Sequence, residues 1–259
     1  MRRFLCLILP LACLGSFVFA AQQKAGSVPK GMVKIPAGSY SPFFSDNTVK
    51  TVRVASFYLD VYAVTNAEFL DFVKANPRWA RSKVSKLFAD AGYLKHWEGD
   101  YVIPERIKNS PVTNISWFAA NEYCKWKGKR LPTLNEWEYA GNAAALNDKR
   151  PVEKIILEWY SRPNPAYLPA VGSAFMNRFN VADLHGLIWE WVSDFNSVIM
   201  SGDSRSNSEI NKELFCATGA AGAVDKENYA AFMRFAFRGS LKAKYTVSNL
   251  GFRCAKDIN

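Results

Sequence analysis

Two helix signatures stand end to end in SWFAANEYCKWKGKRLPTLNEWEYAG, residues 116–141, and they constrain the fold more than any other stretch. Ser116 is placed to cap the first, whose Ala120, Tyr123 and Cys124 share a face, and Gly128 is placed to end it in a left-handed turn. Thr133 with Glu136 three residues on makes a capping box for the second, which Gly141 ends. Helices this short bury one stripe each, so the rest of the core must come from strands and loops.

The remaining pattern agrees. GMVKIPAGSY and TVRVASFYLDVY alternate apolar and polar positions with β-branched residues, as half-buried strands do. VTNAEFLDFVKANP reads as a helix with a Thr65/Glu68 capping box, an apolar stripe of Phe69, Leu70, Phe72 and Val73, and Pro77 as its stop. Residues 78–110 show no period and read as a long structured loop. Residues 151–169 are also loop-like, with a short apolar piece at 155–159, and the C-terminal part alternates strands and loops through Phe237 and Phe252. Few helices, short strands and many aromatic loops make an α+β domain over residues 31–257, with no internal repeat or low-complexity tract.

The N-terminus reads differently. Arg2 and Arg3, an apolar run from Phe4 to Phe19 and the small-residue pattern ending at Ala20 form a cleavable export signal over residues 1–20, with processing and lipid attachment at Cys13 as the alternative. Residues 21–30 follow as a flexible leader, and no stretch reads as a membrane span. The expected location is periplasmic or secreted. Lys and Arg outnumber Asp and Glu by 33 to 23, but they are scattered, with no run of five or six like charges, so a basic surface is expected and not a nucleic-acid groove. Loss of the signal removes Cys6 and Cys13 and leaves Cys124, Cys216 and Cys254. In an oxidising compartment an odd number predicts one disulfide and one free thiol, and spacing does not say which pair is bonded.

In HGLIWEWVSDF, residues 185–195, the alternation sets the Trp189 and Trp191 rings on one face and the Glu190 carboxylate on the other. On the residues alone, Asp183 reads as a turn cap and Glu190 as an acceptor of backbone hydrogen bonds. His185 reads as a partner for backbone, and Trp117, Trp126, Trp137, Trp189 and Trp191 as packing residues. With His96 and His185 as its two histidines, the chain has no three-histidine iron site and no His-rich zinc site.

VTNAEF, SWFAANEYCKWKGKRLPTLNEWEYA, DLHGLIWEWVSDF and SNLGFRC, in this order and spacing, resemble the formylglycine-generating enzyme family, also called sulfatase-modifying factors. The resemblance implies a C-type-lectin-like fold with a small twisted sheet, two main helices and long loops. It implies a structural calcium ion held by the side chains of Asp183 and Glu190 and the carbonyls of Gly186 and Ile188, an oxygen set suited to a hard cation. It also implies a disulfide between Cys124 and Cys254.

The enzymes of that family oxidise a substrate cysteine to formylglycine with O₂ and copper(I) on two cysteines, and two thiolates suit that soft ion. Here only Cys216 stands in the corresponding region, so the oxidase site is expected to be incomplete unless Met233 or a substrate thiol serves as second ligand. The expected function is to bind or mature another exported protein, a periplasmic metalloenzyme or a sulfatase, through a cleft around Cys216, Asp225 and Arg238. The alternatives are a copper-dependent oxidase using Cys216, and a non-catalytic module that binds glycan or peptide.

Overall fold

The computed structural model describes residues 27–41, 51–196, 233–234 and 236–258. The expected signal, most of the leader, Cys216 and Asp225 lie outside the described residues.

A three-stranded antiparallel sheet sits at the centre. Strand β4 (Phe57–Asp60) pairs with β1 (Met32–Ile35) on one side and with β7 (Ala255–Asp257) on the other, so the first and last strands of the domain share one partner. Strands β2 (Gly38–Tyr40) and β3 (Val52–Val54) form a separate antiparallel pair. Strand β5 (Trp189–Glu190) runs parallel to β6 (Leu250–Gly251), which brings the Trp-Glu-Trp stretch against the C-terminal segment. Gly251 is required there, because a Cβ would run into the Val112 carbonyl.

Helix α1 (Asn66–Ala75) carries the expected capping box, with Thr65 and Glu68 satisfying each other's backbone N–H groups. Helix α2 (Trp117–Trp126) is capped by Ser116, with Gly128 just beyond its end at φ +66°. Helix α3 (Leu134–Gly141) starts on the reciprocal Thr133/Glu136 box and runs through Gly141 to Asn142. Arg130 clamps that box from outside with two 2.7 Å hydrogen bonds to Glu136. The stretch at 155–159 is more than an apolar piece of loop. It belongs to a fourth helix, α4 (Val152–Tyr160), whose Val152, Ile155 and Ile156 are buried. Pro151 preceding the helix is compatible with helical entry, which is why a loop signal hid a helix start.

The core is aromatic. Phe69 and Phe72 of α1 meet Tyr123 of α2 at 5.8 and 5.6 Å, and Phe252 closes on Tyr123 at 5.3 Å, edge to face. Beside them the Cys124–Cys254 disulfide, Cα–Cα 5.6 Å, ties α2 to the segment leading into β7 across 130 residues of sequence. Closing a loop of that length stabilises a fold by ~2–5 kcal/mol. The 78–110 region is packed loop with short turns, anchored by Trp79, Tyr93, Leu94 and Trp97, all buried.

Candidate functional site

The chain turns sharply before β5: Asp183 adopts φ +60° and Gly186 φ +102°, conformations that bend the backbone back on itself. Asp183 is fully buried, and its carboxylate accepts hydrogen bonds from the backbone N–H groups of Gly172 and Ala174. It is thus a cap for the 172–174 turn, as its residue type alone suggested.

Glu190 meets an arginine. Its side chain and that of Arg253 are both fully buried, and the pair is bidentate, with Arg253 Nε and Nη2 at 2.8 to 3.0 Å. Trp137 Nε1 adds a third donor at 2.7 Å. The remaining Arg253 donors reach the carbonyls of Asp60, Val61 and Ala182, so the guanidinium uses its whole donor fork. This arrangement does not fit Glu190 as a calcium ligand. Its oxygens are occupied and its charge is already neutralised. Asp183 and the carbonyls of Gly186 and Ile188 then remain, short of the about six to eight oxygens calcium takes. Among the described residues no three His, Cys, Asp or Glu side chains gather as a metal site, although the four-ligand set implied by the resemblance, having only two carboxylates, would not form such a group.

On the opposite side of Glu190 the two tryptophans diverge in environment. Trp191 is core: 1% exposed, it donates to the Ile115 carbonyl at 3.1 Å and packs on Phe195 at 5.1 Å. Trp189 is half-buried among rings, stacked on Tyr160 at 5.3 Å and against Trp159 of α4 at 5.5 Å and Phe237 at 4.6 Å. Phe237 lies in helical residues 236–240, beside Arg234 and Arg238.

Both arginines converge on Glu138 of α3, Arg238 Nη2 at 3.0 Å and Arg234 Nη2 at 3.2 Å. Burial favours the neutral acid, but the two guanidiniums outweigh it and hold the carboxyl at about 2. Arg238, expected in a recognition cleft, is therefore present beside Trp189 but committed to Glu138. A small cavity of about 20 Å³, roughly one water's worth, lies between Trp189, Glu190 and the two arginines. Burial pushes the Tyr160 hydroxyl up. His185 hydrogen-bonds the Gly141 carbonyl at 3.1 Å, and burial brings its imidazole down to about 3, so it is a neutral packing residue.

The geometry is a cluster of half-buried rings beside the buried Glu138–Arg234–Arg238 ion pairs, assembled from α3, α4, β5 and residues 233–234 and 236–240. Cys124 and Cys254 are bonded to each other and offer no thiolate for copper. Sequence reading missed the contributions of Glu138, Tyr160 and Trp159. The two-residue spacing of acidic positions in NEWEYA signalled Glu136 as a cap and gave no reason to single out Glu138.

A family model, the sulfatase-modifying factor enzyme 1-like domain, matches residues 18–258. The chain belongs to that family. It is 29% identical to a formylglycine-generating enzyme of Streptomyces coelicolor over 89% of this chain and 90% of that protein. It is 28% identical to a formylglycine-generating enzyme of Bos taurus over 90% of this chain and 78% of that protein. It is also 25% identical to a Bos taurus protein named inactive Cα-formylglycine-generating enzyme 2, over 86% and 87% of the two chains. Membership carries the family's C-type-lectin-like fold, and the small sheets and few helices described above agree with it.

Proposed function

We propose that this member of the family binds or matures another exported protein, and that its two-cysteine oxidase site is incomplete. The observation that carries the reading is the Cys124–Cys254 disulfide. It consumes two of the three cysteines that follow the N-terminal apolar run and leaves Cys216 as the third. Copper(I) is content with two soft ligands, and a lone thiolate needs a thioether or a thiol brought by the partner to complete them. The half-buried rings of Trp189 and Phe237, with Arg238 beside them, support recognition, since aromatic residues and arginine are enriched at protein-contact surfaces.

A second reading has its own support: relatives named as enzymes match at slightly higher identity than the relative named as inactive. In that reading Cys216 is the catalytic thiol. The two separate by experiment. Titration of free thiols in the processed protein is expected to find one per chain, and copper(I) is expected to bind only when a cysteine-containing partner peptide is added. Stoichiometric copper(I) binding by the protein alone, lost in Cys216→Ser, with oxygen-dependent loss of the peptide thiol, would establish the oxidase instead.

A further inference from the structure

Away from the Trp189 face, between the turns at 77–88 and the outer side of α2, runs a groove of about 560 Å³. Its floor is aromatic. Trp79 is buried, while Phe88 above it, 45% exposed, stands 6.0 Å from Trp79 and 5.3 Å from Phe118 in an edge-to-face pair. Leu87, 78% exposed, is the neighbouring residue. A ring so placed is held by aromatic contacts along its base and offers the rest of its surface to solvent, an arrangement that costs free energy unless something covers it.

The rim is cationic. Arg78 and Lys125 share one carboxylate, Glu122, at 2.8 and 3.2 Å, and both cations keep most of their side-chain surface exposed, at 70% and 62%. Lys83, also on the rim, forms no ion pair among the described residues. Three cations against one carboxylate leave the groove positive. A space of this size lies within the range of pockets that bury small ligands or several side chains.

We propose that this groove docks an acidic segment of the partner protein, with one or two apolar side chains seated on Phe88 and Phe118 and carboxylates meeting Lys83 and Lys125. The inference rests on the protein-partner part of the proposed function and adds the surface and the chemistry of the segment. Apolar floor and positive rim act together: the floor supplies affinity by burial and the rim selects charge and raises the association rate.

The test uses the full processed chain and three amidated hexapeptides followed by fluorescence anisotropy. One has a Leu–Phe centre with two aspartates on each side; the second replaces the aspartates by lysines; the third keeps the aspartates and replaces Leu–Phe by two serines. The first is expected to bind saturably, more weakly as salt rises, and at least about tenfold more tightly than either control. Lys83→Glu with Lys125→Glu, and separately Phe88→Ser, are expected to weaken it by a similar factor. All three residues are exposed, and an unchanged circular dichroism spectrum verifies the fold. Equal binding of both charge signs, or binding that survives both variants, would overturn the proposal. So would silence toward the peptides, whether or not the face instead binds anionic vesicles or a second copy of the chain. Thiol titration and copper(I) binding on the same variants report on Cys216 alone, so failure of the groove and failure of the thiol reading are seen separately.

Discussion

Glu190 and Arg253 form the interaction on which the site most depends. Two charges buried together without solvent are tolerable only because every donor of the guanidinium and both oxygens of the carboxylate are used. Removing one partner leaves the other buried and uncompensated, at ~3–5 kcal/mol. Arg253→Met is therefore expected to lower the unfolding free energy from urea titration by that amount, and the double variant with Glu190→Met to recover part of it, because no orphaned charge remains. A double variant as unstable as the single one would show that the loss is packing and not charge.

Three other residues contribute stability that acid removes. His96 and His185 are pushed by burial to about 4 and about 3, below the ordinary 6.5. Glu138 is held at about 2 against an ordinary 4.5 by Arg234 and Arg238 in spite of its burial. In each case the unfolded chain binds protons more readily than the folded one. Stability is thus complete above the unfolded values and falls as pH drops, first from about 6.5 through the histidines and then from about 4.5 through Glu138. Urea titrations at stepped pH check it, and Glu138→Gln, which takes the shared carboxylate from Arg234 and Arg238, should lower stability at neutral pH and remove most of the fall below about 4.5.

At the scale of elements, local signals were legible and long-range ones were not. Thr65, Ser116 and Thr133 announce helix starts because a cap acts on backbone within three residues of itself. The partner of Glu190 lies 63 residues away and the partners of Glu138 about a hundred, and nothing local encodes such pairings. The disulfide came from resemblance to a family, not from spacing. α4 escaped because Pro and the aromatic residues around it signal loop, while the rings at its C-terminal end, Trp159 and Tyr160, meet Trp189 across a gap of about thirty residues. The Asp183 to Glu190 turn yields a prediction at this scale. Held by two amides at one end and by Arg253 at the other, it is expected to stand without divalent cations, so that chelator shifts the melting temperature by less than ~2 °C. A larger drop, restored by calcium, would show that Arg253 shares Glu190 with a metal ion. Reduction of Cys124–Cys254 acts on the unfolded chain instead and is expected to cost ~2–5 kcal/mol.

The described domain is closed by the segment at residues 250–257. β7 completes the sheet on β4, Cys254 bonds α2, Arg253 holds Glu190 with the end of β4, Phe252 seals the aromatic core, and Gly251 approaches the Val112 carbonyl too closely for any side chain. Five consecutive functions in SNLGFRCAKD make this segment the keystone of the buried cluster that reaches from Ile35 to Ala255. By contrast Val152 and Ile156 of α4 form a small cluster of their own, joined to the rest through Trp159, Tyr160 and Trp189. Removal of residues 250–258 is therefore expected to abolish the near-ultraviolet signal of the entire domain, not to fray one edge. Hydrogen exchange in the intact protein should show α4 opening well below the free energy of global unfolding, while β4 exchanges only with it. Protection of α4 equal to that of β4 would mean that the aromatic face is rigid with the core. It could then meet a partner only as a preformed surface.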